Sequence, residues 1–489
     1  MSAADKAFDF EVESVIREAL DASDDRSPDE RRAHGAAIRD KVPIASHAIW
    51  TAPANRSDPV DLLRQQGISR VQQLLPLRYE RMAVSAFTFY RGGALIMASD
   101  LSHTPSTDIQ VQACGDAHIA NFGLFSSPER HAVFDINDFD ETARGPWEWD
   151  VKRLATSVEI CGRDRKFADK DRKEAVLDCI RGYCDGMAEF ANMGNLDVWY
   201  AHADVDHLVE HFSAQTPSSS PQTAQKVLGK VKSKDTARAI AKLTEVVDGQ
   251  LRIVSSPPVV VPIRDILAEN AESGAIDIAD IEARLQQAFS EYLNTLSPEK
   301  QRLIKQYRGV DIAVKVVGVG SVGTRCLVVV MEGAGREDPL VLQIKEAQES
   351  VLEQFCGKSA SIEHGQRVVE GQHAIQAASD MLLGWCRLRD DDGSMKDYYV
   401  RQLWDGKGSI DLTKISIEGL KMLSKMCGWT LAHAHARTGD RFELAGYLGD
   451  GIDFSKAIAK FARSYADQND ADYAHFMEAI KSGELPLAQ

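Results

Sequence analysis

The sequence predicts an α+β protein of two lobes, one large and mostly helical, the other small and built on an antiparallel sheet. Three observations predict it. At 489 residues with 44% hydrophobic content, the chain can bury more core than a single lobe holds. Residues 311 to 347, DIAVKVVGVGSVGTRCLVVVMEGAGREDPLVLQIKEA, alternate Val-rich runs with glycine breaks, the pattern of consecutive strands joined by hairpins. Residues 415 to 436, ISIEGLKMLSKMCGWTLAHAHA, space their apolar positions at helical period and stop at the turn signal ARTGD.

In chain order, residues 1–110 read as an N-terminal helical extension whose start, MSAADKAFDFEVESVIREAL, is acidic and amphipathic without a signal-peptide core. Residues 111–310 form part of the large lobe. There, Ile109 to Cys114 and His131 to Ile136 read as short strands bracketing a polar loop. His211 to Lys234 contains the run TPSSSPQT and reads as a flexible loop, with a lid over substrate as one reading. Residues 311–408 form the small lobe: a strand, a glycine loop, a second strand Thr324 to Met331, and a third, Pro339 to Ile344, that delivers Lys345. A helical stretch Ile362 to Leu383 and a strand Tyr398 to Trp404 follow, the strand broken by DGKGS. Residues 409–489 are helices returning to the large lobe.

Composition narrows the function. A net charge of -16 argues against nucleic acid or an anionic membrane as general partner, since either needs excess Lys and Arg. No apolar run approaches the roughly 20 residues of a membrane span. The eight cysteines are scattered without a C-x-x-C pair, as expected of buried reduced thiols in a cytoplasmic protein. His433 and His435, at i and i+2 on a helix, point apart, which disfavours a shared metal.

The chemistry concentrates in VQACGDAHIANFGLFSSPERHAVFDINDFDETARGPWEWD, residues 111 to 150. It holds GD-x-x-x-x-N followed by DFD. An Asp in a loop can accept the proton of an attacking hydroxyl, an Asn five residues on can turn its amide oxygen to a metal, and an Asp at a strand end can bridge phosphates through Mg²⁺. These are Asp116, Asn121 and Asp138. Asp135 and Asp140 lie near enough to be confused with Asp138, which fits the motif best. Turn-forming alone explains a lone GD, but does not require polar groups to converge at strand ends. Asp150 reads as a brace for the loop.

Gly318, Gly320 and Gly323, with Ser321 among them, form G-x-G-x-x-G. A dinucleotide fingerprint must open a helix, whereas here a strand follows, so the loop is a hairpin tip whose backbone can cover phosphates. Lys345 then reads either as an edge lysine or as a phosphate partner. Glu370 is the first choice to hold it, with Glu363 in reserve. Gln402 and Leu403 lie where an adenine-binding hinge between lobes would lie, or where any strand meets a turn. Arg81 and Arg91 read as surface arginines or as a clamp for an acidic substrate.

Together these pieces resemble the protein-kinase-like superfamily, specifically its aminoglycoside and choline kinase branch, where the catalytic loop reads H-G-D-x-x-x-x-N and the metal strand ends in D-F-D. CGDAHIAN and NDFD match, with Cys114 in place of the usual His. The order differs: the glycine loop, lysine strand and hinge follow the catalytic loop here and precede it in that family. The resemblance therefore implies a circular permutation, cut between the helix bearing WTLAHAHA and the catalytic loop. Over nearly its whole length the chain also resembles a bacterial family, domain of unknown function 2252, through runs such as RYERMAVSAFTFYRGGALIMASDL, FDINDFDETARGPWEWDVKRLATS and YYVRQLWDGKGS. The kinase resemblance implies an ATP- and Mg²⁺-dependent phosphotransferase acting on a hydroxyl of a small molecule. Adenylylation of a protein on the same fold, a metal-dependent phosphoesterase and a noncatalytic nucleotide-binding module are the alternatives.

Overall fold

The computed structural model describes residues 26–202, 240, 242–270, 278–316, 318–390, 393–403 and 410–487. The acidic start, the Ser/Pro-rich run and the DGKGS break lie outside them. Among the described residues the protein is a mixed α/β fold in which helices outweigh four antiparallel sheets, three of them two-stranded. None of these helices is long and apolar enough to cross a membrane.

The strands are β1 Gln110–Ala113, β2 Phe122–Ser126, β3 Ala132–Ile136, β4 Ala143–Pro146, β5 Thr244–Val247, β6 Gln250–Ile253, β7 Val260–Pro262, β8 Arg308–Lys315, β9 Cys326–Glu332, β10 Pro339–Ala347, β11 Gly384–Arg389 and β12 Met395–Gln402. β1 pairs with β4 and β2 with β3, so the polar loops after β1 and β3 emerge side by side. The largest sheet runs β11-β12-β10-β9-β8-β7. Because side chains alternate along a strand, its two faces differ in chemistry. On β10, Leu340, Leu342 and Ile344 face a core shared with Tyr292 of helix Ile278–Thr295. Val341, Gln343 and Lys345 face the opposite side, and the register places Cys326, Tyr399 and Arg401 beside them.

The main core collects β1 to β4 and helices Trp147–Asp164, Asp169–Phe190, Ile417–Thr438 and Ile452–Lys481. Helices Ala86–Gly92 and Ala94–Leu101 join the same core, so this part of the N-terminal region is integral to the core that carries the polar loops. Arg56 fastens it further, donating to Asp100 and Asp472 at 2.6–2.8 Å. Helix Trp147–Asp164 is buried almost throughout, so its polar side chains must find partners inside the protein. Lys152 donates to Thr104 Oγ1 at 2.9 Å, while Asp150 and Arg153 turn to the loop after β1.

The helix expected over 362–383 is shorter, His364–Ile375. It stops because Gln376 adopts an extended backbone (φ -82°, ψ 133°) and its buried amide donates to Ile136 O at 2.6 Å. The apolar run after it serves the turn into β11, where periodicity alone had prolonged the helix. All eight cysteines are free thiols, seven of them buried. His433 pairs with Val198 O at 3.0 Å and His435 with Tyr183 OH at 2.8 Å, so the two rings serve different neighbours.

Candidate functional site

The loop after β1 is shaped by a glycine and an aspartate. Gly115 has φ +81°, and a Cβ there would lie 2.1 Å from Glu141 O, so only glycine lets the loop press onto the turn after β3. Asp150 accepts the N–H groups of Cys114 at 2.6 Å and Gly115 at 3.0 Å. Cys114 Sγ lies 3.6 Å from Asp138 O, a weak link between the two polar loops.

Asp116 follows. Its Oδ1 accepts from Arg153 Nε at 2.7 Å and lies 2.5 Å from Nη2. Arg153 is itself fixed by Tyr90, donating to its carbonyl at 3.0 Å with the guanidinium 4.4 Å from its ring centre. This leaves Asp116 Oδ2, with His118 Nε2 3.8 Å away. Burial pushes the His118 pKa down to about 3, so the ring is neutral near pH 7 and is no counter-ion for Asp116. Asn121 Nδ2 donates to Asp116 O at 2.8 Å, which turns its amide oxygen away as an acceptor.

The loop after β3 meets the large sheet. Asp140 accepts from Tyr399 OH at 2.8 Å and Ser321 Oγ at 3.1 Å, and it ion-pairs with Lys345. Lys345 Nζ also lies 3.8 Å from Asp138 Oδ1. Arg401 Nη1 donates to Asn137 O at 3.2 Å and Nε to Gln343 Oε1 at 2.9 Å, tying loop to sheet. Burial alone would lift Asp140, but Lys345 outweighs it and holds the carboxyl at about 2. Asp138 moves the other way: it is enclosed by protein and sits beside anionic Asp140, so its pKa is raised. Its side chain is nevertheless 34% exposed, because it forms the floor of a cavity that water can enter. Burial would lower Lys345, yet the two aspartates keep its ammonium firmly protonated.

That cavity, of about 460 Å³, is lined by Asp116, Asn121, Asp138, Asp140 and the loop from Gly318 to Ser321. Lys345 lies beneath it, 2% exposed. Gly318 and Gly323 have φ +70° and +95°. One helix and one connecting turn of the N-terminal region hold this glycine loop: Arg81 Nη1 donates to Gly318 O at 2.6 Å, Arg70 Nη1 to Val322 O at 2.7 Å, and Val71 N to Gly323 O at 2.8 Å.

Three expected residues stand elsewhere. Glu370 accepts from Ser361 Oγ and Gln366 Nε2, both at 2.7 Å, and does not reach Lys345. The reserve, Glu363, precedes the same helix, its carboxylate 3.8 Å from Arg387. The buried face of that helix presents a cation instead: Arg367 donates to the carbonyls of Asp140, Thr142 and Gln348, so lysine takes its anions from the loop that Arg367 supports. Gln402 is occupied by Asp380, with its backbone N–H at 2.5 Å and its amide at 2.9 Å. Leu403 donates its N–H to Val341 O at 2.8 Å and buries its side chain among Val328, Val330 and Val341. Neither lines the cavity.

Sequence reasoning missed Arg153 and Tyr399 and ranked Asp140 second. Each left a signal. Asp150 and Arg153 share a helix face at i,i+3, and Tyr399 and Arg401 share a strand face at period two.

Asp135 lies outside the cavity, paired within β3 with Gly123 and 4% exposed. Burial pushes its pKa up to about 7, partly offset by the Ile136 N–H. A carboxyl raised above its ordinary 3.8 binds its proton more tightly in the folded state, so stability falls as pH rises from about 4 to 7. Asp135→Asn should remove that slope and stabilise the protein at pH 8 by a few kcal/mol, on the order of 1.4 per pKa unit. Urea unfolding at pH 5 and pH 8 measures it; parallel behaviour of variant and wild type would show that Asp135 stays ionised.

Fold and cleft together define a mixed α/β protein whose largest sheet presents a buried lysine to two aspartates of one loop. A family model described as an uncharacterized protein conserved in bacteria (DUF2252) matches residues 70–479, and the chain belongs to that family. No curated protein and no solved structure matches.

Proposed function

We propose that the chain is a kinase-like phosphotransferase on a circularly permuted two-lobed fold, moving the γ-phosphoryl group of ATP, with Mg²⁺, to a hydroxyl of a small molecule. One observation carries the proposal. Lys345 and Asp138 are 207 positions apart (345 − 138), yet 3.8 Å separates ammonium from carboxylate, beside a cavity lined by Asp116, Asn121 and the glycine loop. The permutation is supported by the end of helix Ile417–Thr438, where Thr438 Oγ1 accepts from Gln112 N at 3.2 Å and Thr438 O from Arg144 at 3.0 Å. The helix thus ends against β1, whose own end opens into Asp116.

The residues fit the chemistry. Asp138 offers a solvent-accessible carboxylate and Asn121 an amide oxygen, a donor set for Mg²⁺, which takes oxygen ligands and completes its shell with water and phosphate. Held by Asp138 and Asn121, Mg²⁺ would neutralise charge on the transferring phosphoryl group. Among the described residues no cluster of three or more His, Cys, Asp or Glu side chains has metal-binding geometry, and a binuclear hydrolase would need one. Asp116 Oδ2 orients the acceptor hydroxyl and takes its proton, while Arg153 keeps the carboxylate aimed by holding Oδ1. Lys345 and the backbone of the glycine loop grip the phosphates, and Ser321, bonded to Asp140, couples loop to lysine.

Mg²⁺–ATP at 100 times its Kd should stabilise the protein by about 2.7 kcal/mol. Asp138→Ala should remove the Mg²⁺-dependent part of that gain. Thermal shifts with and without Mg²⁺ measure both, and equal shifts in wild type and variant would end the reading. Pyrophosphate release with a labelled adenylyl group left on protein would move the chemistry to adenylylation.

A further inference from the structure

The geometry points to an oxyanion subsite centred on Arg91, so that the acceptor is an anionic hydroxyl compound carrying a phosphate or a carboxylate. The word acceptor rests on the phosphotransfer reading; the subsite itself does not. Helix Ala86–Gly92 ends at the cavity, and Arg91, in its last turn, lines it together with Asp116 and Asp138. Among the described residues the Arg91 guanidinium makes no hydrogen bond or ion pair, and its Nε is buried without a partner. An arginine stays charged, so unfilled donors in a largely buried position carry a desolvation cost that only an anion offsets well.

The anions of the cavity wall are already matched. Asp116 is held by Arg153, Asp138 and Asp140 sit in the field of both Lys345 and Arg401, and Glu346, Glu349 and Asp397 pair with Arg325, Lys358 and Arg387. Glu141 accepts from Val351 N at 2.8 Å, and burial raises its pKa to about 7, so it is only a partial charge near neutrality. Arg91 is therefore a surplus cation, and burial lowers its pKa against the opposing pull of Asp116 and Asp138. Arg70, lining the same cavity, spends Nη1 on Val322 O and leaves Nε unpartnered, adding a second positive group to that wall.

In the phosphotransfer reading the phosphates of a nucleotide already have Lys345 and the glycine loop, with Asn121 and Asp138 given to the metal. Arg91 comes from a different element, its backbone close to Gly320, and its guanidinium lies within electrostatic reach of Asp138 and of Asp116, the group that meets the acceptor. An anionic substituent bound there would bring its hydroxyl to Asp116 and let part of its binding energy serve orientation.

Titration calorimetry of the full chain tests this, using inorganic phosphate and acetate as probes, each with and without saturating Mg²⁺ and a non-hydrolysable ATP analogue. Wild type should bind one probe while the analogue is bound: phosphate binding assigns a phosphate-bearing acceptor, acetate binding a carboxylate-bearing one. Arg91→Gln should weaken that binding at least about tenfold, and the charge-keeping Arg91→Lys by a few fold. Affinity for the analogue should stay within about threefold in both variants. The lysine variant decides the matter if the glutamine variant does not fold. Binding of neither probe, unchanged affinity in both variants, or exclusion of the probe by the analogue would overturn the subsite. Loss of analogue binding in wild type would instead end the phosphotransfer reading, while Arg91-dependent binding of a probe would still establish the subsite.

Discussion

Lys345→Met is expected to lower the unfolding free energy by about 3–5 kcal/mol, the cost of removing one partner from a buried ion pair. The side chain is 2% exposed and faces two carboxylates at once, one in contact and one at 3.8 Å. Met fills the same volume, so the loss reports charge more than packing. Without the ammonium, Asp138 and Asp140 repel each other across a low-dielectric floor, and the proposed Mg²⁺-dependent nucleotide binding should weaken with them. The pH dependence gives a second reading. Lys345 holds Asp140 at about 2, below its ordinary 3.8, so the stabilisation is fully present above pH 4 and is lost as pH falls towards 2. Chemical unfolding at pH 7 measures the main effect, and a loss under about 1 kcal/mol would mean that the pair contributes little net energy.

Asp116→Asn is expected to slow phosphoryl transfer, or background ATP hydrolysis, by about 10²- to 10⁴-fold, with nucleotide affinity changed only a few fold. Asn keeps an oxygen for Arg153 but can no longer take a proton. Because Arg153 would otherwise lose a buried partner, the amide is a cleaner test than alanine. Full turnover in the variant would remove Asp116 from the chemistry and leave it a brace for Arg153. A loss of affinity equal to the loss of turnover would mean that it acts on binding alone.

Much of the fold was legible because its signals are local. The Val-rich runs of 311–347 became β8, β9 and β10, the glycines between them became a hairpin tip, and the helix at 415–436 formed as Ile417–Thr438. Asp116, Asn121, Asp138 and Ser321 fell in one cavity because strand ends and a hairpin tip carry them. Pairing across the chain was harder to read. Helical periodicity says that some face of His364–Ile375 is buried, but not that Arg367 occupies it while Glu370 faces water. The placement of Gln402 failed for a related reason. Asp380 captures it from a turn that the apolar pattern had absorbed into a helix.

Strand β10 carries two unlike rows, Lys345 and Gln343 on one side and Ile344 and Leu342 on the other. A slip of one residue would exchange them, placing an ammonium against Tyr292 and an isoleucine over Asp140. The lysine is thus a proofreader of strand pairing as well as a proposed phosphate ligand. Only the register that brings it to the aspartates satisfies charge on one face and apolar packing on the other. Errors of assembly in the six-stranded sheet are penalised most heavily at the position where the proposed chemistry tolerates them least.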